Sequence, residues 1–218
     1  TKEDLQCLDI KRMSRTVSDQ LSTLKARDIS HAMNAFARLG YNKEELAIDE
    51  HKLSGEINKK LNNFTGFDAA ITLHSLAQMG HNANDMGNDL KLSTYRLTQK
   101  AQHDIHFASP RVIATLVHSL AKMEMFDELL SLKDEINYHL TRDKINELSA
   151  DSAFSLLQSQ MICHLLYGEN FFDEAVITNI ASKYEPQTEE ISDLQNQVAK
   201  SLLESQTTQE SCVYNIAG

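Results

Sequence analysis

The sequence contains few of the residues that interrupt helices. Only 7 of its 218 residues are glycine, 2 are proline, and tryptophan is absent. Runs of β-branched residues are also scarce, so the sequence carries few signals for β-strands or for the tight turns that join them. Long stretches are instead rich in leucine, alanine, lysine, glutamate and glutamine, which favour helix. The composition therefore predicts an all-α protein.

The cysteine content argues against a disulfide framework. The three cysteines, Cys7, Cys163 and Cys212, are odd in number and form no CxxC pair. This pattern favours a reducing compartment and predicts no zinc site of the cysteine type. Cys163 lies in an apolar stretch and is expected to be a small buried side chain. The longest uncharged run, residues 152–168, includes serine, glutamine and histidine, so no membrane span is expected.

No catalytic motif can be recognised by spacing. The glycines are scattered singly and form no phosphate-binding loop, so no cofactor is expected. His103 and His106 stand three residues apart, but no further ligand accompanies them in the sequence, and we expect no metal site there. The sequence thus favours a binding protein over an enzyme.

Charge is distributed unevenly along the chain. Residues 1–124 contain 16 basic and 15 acidic side chains, whereas residues 125–218 contain 5 basic and 16 acidic ones. The acidic second half repels phosphate and suits contact with protein. The balanced first half leaves nucleic acid possible as a partner, without the basic excess common in autonomous binders.

An internal repeat organises the first half. Three segments align, Arg27–Gly40, Phe67–Gly80 and Arg111–Glu124, at offsets of 40 and 44 residues. The second and third share HSLAQM and HSLAKM. Periods of this length are typical of helical repeat proteins.

Each copy has the features of one helix. Apolar residues of the second copy recur at helical spacing at 69, 70, 73, 76 and 77. Thr65 and Asp68 match a capping box, and Gly40 and Gly80 are suited to ending a helix at positive φ. In the third copy, Ser109 and Pro110 fit the N-cap and first helical positions.

The segments between the copies, about 43–62, 86–102 and 125–141, are predicted second helices. Each unit is then a helix pair, which must stack on its neighbours to bury its apolar face. We expect an α-solenoid of stacked antiparallel helix pairs, with three to four repeats of 40–44 residues. A degenerate fourth copy follows Ser149, and further helices are expected at about 171–184 and 189–204. The predicted regions are a helical cap at 1–22, the repeat array at 23–145, the degenerate repeat and C-terminal helices at 146–205, and a polar tail at 206–218.

The repeat unit resembles those of the octotricopeptide and heptatricopeptide families, which are related to FAST-kinase-like and RAP-domain proteins. An aromatic or leucine residue precedes a helix that ends in the pattern L-A-x-M/L-G. Leu24, Phe64 and Phe107 are the upstream residues, and Leu76–Gly80 shows the terminal pattern most clearly. The resemblance covers about residues 20–145. It implies a mitochondrial location, with the plastid as the alternative, and a role with organellar RNA. The period also falls in the HEAT and armadillo range, so a general α-solenoid remains an alternative.

Three aligned positions form the candidate RNA-binding stripe. Their spacing of i, i+7 and i+11 places them on one helix face. The residues are Arg27, Phe67 and Arg111 at the first position, Asn34, His74 and His118 at the second, and Arg38, Gln78 and Lys122 at the third. Arginine and lysine suit phosphate, the polar side chains suit base edges, and phenylalanine suits base stacking. The alternative is that this stripe is simply the solvated face of each helix.

Two functions follow from these features. One is a component of a mitochondrial ribonucleoprotein, such as the mitoribosome or an RNA-processing complex, which contacts organellar RNA, with rRNA as one candidate. The other is a protein-binding scaffold of a large organellar assembly without direct RNA contact. In both, the acidic second half is expected to face protein.

Overall fold

The computed structural model describes residues 9–140, 142–168 and 170–183, and every regular element in these ranges is a helix. The predicted all-α class is therefore confirmed for this part of the chain. The helices are α1 (Ile10–Gln20), α2 (Ala26–Arg38), α3 (Glu50–Lys59), α4 (Gly66–Gln78), α5 (Asn88–His103), α6 (Pro110–Lys122), α7 (Phe126–Ser131), α8 (Lys133–His139), α9 (Arg142–Ile145), α10 (Ala150–Tyr167) and α11 (Glu174–Lys183).

The three repeated segments form α2, α4 and α6, and they pack side by side in chain order. α10 packs on the far side of α6, and α3 packs against α5 behind the row. Ser30 Oγ donates a 3.1 Å hydrogen bond to the carbonyl of Asp68, which joins the first half of α2 to the start of α4. At the other end, Lys43 N–H donates to the carbonyl of Met79 at 2.9 Å. Contacts at both ends show that α2 and α4 run parallel.

The helices in this row begin alike. Each is preceded by a residue in extended conformation, with ψ between 156° and 163°, and these residues are Lys25, Thr65, Ser109 and Ser149. The predicted capping box is confirmed, because Thr65 Oγ1 accepts from Asp68 N–H at 3.1 Å and the Asp68 carboxylate accepts from Thr65 N–H at 3.3 Å. Ser109 makes no side-chain cap hydrogen bond, and Pro110 takes the first helical position as predicted.

Their ends are alike too. Gly40 and Gly80 have φ of +79° and +87°, which confirms the predicted stops. Gly168 ends α10 in the same way, at +71°. Glu124 takes this position after α6 with φ +58°, a conformation that costs a non-glycine residue of the order of 1 kcal/mol. α10 has 18 residues where α6 has 13, so the fourth helix begins at an equivalent N-cap, Ser149, but ends more than one turn later.

The centre of the row is buried and closely packed. On α4, the predicted apolar residues Ala69, Ala70, Leu73, Leu76 and Ala77 are all buried, none more than 2 % exposed. Alanine at these positions allows α2 and α6 to approach from both sides. Burying each leucine contributes roughly 1.5–3 kcal/mol.

The second helices differ from the prediction in length and continuity. Residues 43–62 do not form one helix, because a short 3₁₀ turn at Lys43–Glu45 precedes α3, which begins only at Glu50. Residues 125–141 are divided at Leu132 into α7 and α8. Only the middle segment, α5, follows its predicted bounds closely.

The upstream residues are also not equivalent as predicted. Phe64 is buried before α4, whereas Phe107 is 93 % exposed. Ala108 directly precedes the N-cap of α6, as Phe64 precedes Thr65, so the choice of Phe107 was wrong by one residue. Ile105, which is fully buried, fills the interior at this point instead.

The flanking regions are described in part. α1 packs beside the start of α3, where Ser14 Oγ and Ser18 Oγ accept hydrogen bonds from Ala47 N–H and Asp49 N–H at 2.8 and 3.0 Å. The helix expected at 171–184 is α11, which begins three residues later than predicted, at Glu174. The helix expected at 189–204 and the tail at 206–218 lie outside the described residues.

Candidate nucleic-acid interface

A surface depression of about 580 Å³ crosses α2, α4 and α6. Six of the nine residues of the candidate RNA-binding stripe line it, namely Asn34, Arg38, Phe67, His74, Gln78 and Arg111. We call this depression the groove. The alignment of the three copies therefore selected residues from three helices that lie close together in space.

The groove runs obliquely because its two arginines sit at opposite ends of parallel helices. Arg38 is the last residue of α2, and Arg111 is in the first turn of α6. Phe67, in the first turn of α4, is 55 % exposed and lies on the same side as Arg111. The Phe67 ring is thus available to solvent in the groove.

The groove is basic although the chain has a net charge of -10. Its lining contains two arginines and no aspartate or glutamate. The other lining residues are phenylalanine, alanine, isoleucine, valine, serine, threonine, asparagine, glutamine and histidine. A cationic groove on an acidic protein is an uneven charge distribution that attracts anions locally.

The remaining three stripe residues lie outside the groove lining. Arg27 is exposed in the first turn of α2, and Lys122 is exposed at the end of α6. His118 is partly buried, and its Nδ1 lies 3.5 Å from Ser159 Oγ on α10. His118 thus contacts the next helix of the row.

His74 has the equivalent contact one copy earlier. Its Nδ1 lies 3.3 Å from Ser119 Oγ on α6. Burial, together with smaller contributions from the neighbouring His118 and Lys122, lowers the pKa of His74 to about 4. Burial also lowers the pKa of His118. Near neutral pH His74 is therefore an uncharged imidazole, able to bond to a base edge or a hydroxyl but unsuited to pairing with phosphate.

A second depression of about 500 Å³ adjoins the groove at Phe67. Phe107 and the starts of α4 and α6 line it together with apolar side chains. Asp104 also lies here, and its Oδ2 accepts a 2.7 Å hydrogen bond from Gly66 N–H at the start of α4. This carboxylate makes the second depression less suitable for phosphate than the groove.

Three polar side chains meet on the opposite layer of helices. His106, in the 3₁₀ turn after α5, approaches Glu135 and His139 of α8, and one potential ligand atom from each lies within 4.8 Å of the others. The expectation that no further ligand lies beside these histidines is thus wrong for His106. His103 is not part of this group. Only folding brings residues 106 and 135 together, so no local sequence signal marked them.

The single described cysteine is unsuited to nucleophilic chemistry. Cys163 is buried, as predicted, and burial raises the pKa of its thiol to about 11. A thiol with this pKa is protonated at neutral pH and is a poor nucleophile. Among the described residues, no helix is long and apolar enough to cross a lipid bilayer.

In comparisons with known proteins, no protein-family model, no curated protein and no solved structure matches this chain.

Proposed function

We propose that this chain is a non-enzymatic helical-repeat protein that binds single-stranded RNA in the groove, as a component of an organellar ribonucleoprotein. Its helix pairs stack as a short α-solenoid, and the row of α2, α4, α6 and α10 presents the binding face. The sequential packing of these helices and their repeated start and stop positions support this arrangement.

The observation that carries the proposal is the composition of the groove. Arg38 and Arg111 are placed for phosphate contacts at its two ends. Phe67 offers an exposed ring, at the same end as Arg111, for stacking a base. Asn34 and Gln78 supply amide groups that donate to and accept from base edges. These are the contact types that single-stranded RNA requires.

The compartment and the assembly are proposed from the resemblance to organellar repeat families. That resemblance favours the mitochondrion over the plastid and suggests a ribosomal or RNA-processing particle. The small size of the basic groove fits a component of such a particle better than an autonomous RNA-binding protein, because each phosphate contact contributes only part of the affinity. The acidic second half would then face protein.

The direct test is a titration of the purified chain with a labelled single-stranded RNA. Arg27, Arg38, Arg111 and Lys122 are changed together to glutamate. Because this reverses four charges on the binding face, we expect the affinity to fall by at least about 30-fold at low salt. Circular dichroism and thermal melting check that the variant remains folded.

A matched control changes four basic residues away from the groove. Lys11, Arg12 and Arg15 on α1 and Lys91 on α5 are exposed, and their change to glutamate alters the net charge by the same amount. The proposal expects this variant to retain most of the affinity. Equal losses in both variants would show that only net charge matters and would reject the groove as the site.

A second candidate function is the protein-binding scaffold. It is favoured by apolar exposure at the end of α10, where Leu165 and Leu166 are 72 % and 57 % exposed. Purification of the native protein with and without ribonuclease separates the two functions. Partners that are lost on ribonuclease treatment support the RNA-bound protein, whereas a partner set that survives supports the scaffold.

A further inference from the structure

The cluster of His106, Glu135 and His139 has the ligand types and the spacing of a metal site. Glu135 and His139 stand four residues apart on α8, so they project from one face of the helix. His106 reaches them from the 3₁₀ turn that follows α5. The cluster thus combines two ligands from one helix with a third from a separate element.

The three side chains are already in contact. His139 Nε2 lies 2.7 Å from His106 Nδ1, and His106 Nε2 lies 3.3 Å from Glu135 Oε1. A tetrahedral ion with bonds of about 2.0–2.1 Å keeps its ligand atoms roughly 3.3 Å apart. His106 faces His139 with Nδ1 and Glu135 with Nε2, so its ring must turn until one nitrogen shares the ion with His139 Nε2 and a Glu135 oxygen. One such atom from each residue already lies within 4.8 Å of the others. His106 is largely exposed, so an entry path from solvent exists.

We propose that His106, Glu135 and His139 bind a divalent transition-metal ion, best matched by Zn²⁺. Two imidazoles and one carboxylate are the ligand set that Zn²⁺ accepts at four-coordinate sites with one position left for water. Ca²⁺ and Mg²⁺ prefer oxygen ligands throughout and are excluded by the two histidines. The ion would join the end of α5 to α8 and so connect two consecutive repeats.

Neighbouring side chains hold the ligands in place. Gln102 Nε2 donates a 3.2 Å hydrogen bond to Glu135 Oε2, which leaves Oε1 directed at His106. Tyr138 packs edge-on against the ring of His139 at a centroid distance of 5.3 Å. Partners of this kind orient metal ligands and raise the affinity of a site.

Lys144 opposes binding. Its Nζ lies 3.4 Å from His139 Nδ1, so without an ion that nitrogen accepts from the ammonium and the proton resides on Nε2. An ion on Nε2 requires the proton to move to Nδ1, and the ammonium must then turn away. Lys144→Gln removes this charge and offers an oxygen that accepts from Nδ1–H. We expect this variant to bind Zn²⁺ more tightly than the wild type.

The test is a calorimetric titration of the full chain with Zn²⁺, supported by the visible absorption of Co²⁺ at the same site. Wild-type protein is expected to bind one ion at this site. His106→Gln and Glu135→Gln each remove one ligand and are expected to weaken binding by at least about 10-fold. Both residues are at least partly exposed, so these variants should remain folded, whereas a change at the buried His139 would disturb packing.

His103→Gln is the matched control. His103 is exposed, three residues from His106, and lies outside the cluster. The proposal expects this variant to keep wild-type affinity and expects saturating Zn²⁺ to raise the wild-type Tm by about 5–10 °C. Equal affinity in wild type and His106→Gln would overturn the proposal, as would an equal loss in His103→Gln. Tighter binding by Lys144→Gln supports it, because a purely structural hydrogen-bond chain gives no such gain.

Discussion

His81 Nδ1 lies 3.5 Å from Glu50 Oε1, yet it makes no hydrogen bond and belongs to a side chain that is 5 % exposed. Burial and, to a smaller extent, the nearby Lys43 lower the pKa of His81 to about 4, although the Asp85 and Glu44 carboxylates oppose this shift. The imidazole is therefore neutral at pH 7, and its contact with Glu50 is not an ion pair. Protonation of this buried imidazole would therefore destabilise the folded state relative to the unfolded chain.

The stability of the protein should therefore decrease in mild acid. The unfolded chain protonates His81 near pH 6.5, whereas the folded chain does so only near pH 4. Between these values the unfolded state binds more protons, so the contribution is intact above pH 6.5 and is lost as pH falls toward 4. We expect His81 to account for a loss of up to about 2 kcal/mol between pH 8 and pH 5, measured by urea unfolding.

His81→Met tests this assignment. Met125 occupies the equivalent position after α6 and is buried, so methionine suits this site in the repeat. We expect the variant to be more stable than the wild type, by about 1–3 kcal/mol, since an unsatisfied polar atom is removed. The gain should be larger at pH 5 than at pH 8. An equal acid-induced loss in both proteins would assign the effect to other groups.

Replacement by alanine should have opposite effects on the free energy of unfolding at two glycines. At Gly66 an added Cβ would lie 2.5 Å from Asp104 Cβ, so Gly66→Ala forces the start of α4 away from the end of α5 and costs roughly 1–3 kcal/mol. At Gly55, inside α3, no atom lies within 4 Å of the added Cβ. Gly55→Ala should stabilise by about 0.5–1 kcal/mol. Urea unfolding of both variants checks the pair, and a stabilised Gly66→Ala would contradict the packing at α4.

Phe67 and Phe107 should differ in their effect on RNA binding. Both rings are exposed, but only Phe67 lines the groove. Phe67→Ala is expected to weaken binding of single-stranded RNA by about 1–3 kcal/mol, the value of one stacked base, with little change in Tm. Phe107→Ala is the control and should bind like the wild type. Fluorescence anisotropy measures both, and the reverse order of effects would move the site to the second depression.

The salt dependence of RNA binding should show whether each of the two groove arginines contacts a phosphate. Each arginine that neutralises one phosphate of a single strand adds roughly 0.7 to the slope of log affinity against log salt. Arg38→Ala and Arg111→Ala should each lower the slope by about this amount. Titrations at several salt concentrations give the slopes, with Arg15→Ala on α1 as a control whose slope is unchanged. Unaltered slopes in the groove variants would mean that neither arginine contacts phosphate.

The sequence predicted those parts of the fold that depend on local chemistry. The capping box of Thr65 and Asp68, the stops at Gly40 and Gly80, and the apolar face of α4 all follow from residues within one or two helical turns. The internal repeat also predicted which residues of different helices lie near one another, because residues aligned across the copies are neighbours in the groove. The grouping of Phe67 and Arg111 is an example.

The remaining features depend on contacts between distant residues. Phe64 and Phe107 look equivalent in the sequence, but the residue 44 positions after Phe64 is Ala108. Phe107 is therefore one residue out of register and lies on the surface. Likewise, Glu135 reaches His106 only because α8 packs beside the end of α5. Helix periodicity does not predict such packing. It also does not predict the break between α7 and α8.

Ultraviolet crosslinking of bound single-stranded RNA, with mass spectrometry of the adducts, tests most directly whether RNA lies in the groove. The account predicts nucleotide adducts on peptides that contain Phe67 or Arg111, and their loss in Phe67→Ala. Adducts confined to α1 and α5, or no adduct at RNA concentrations that saturate binding, would contradict the groove as the RNA-binding site.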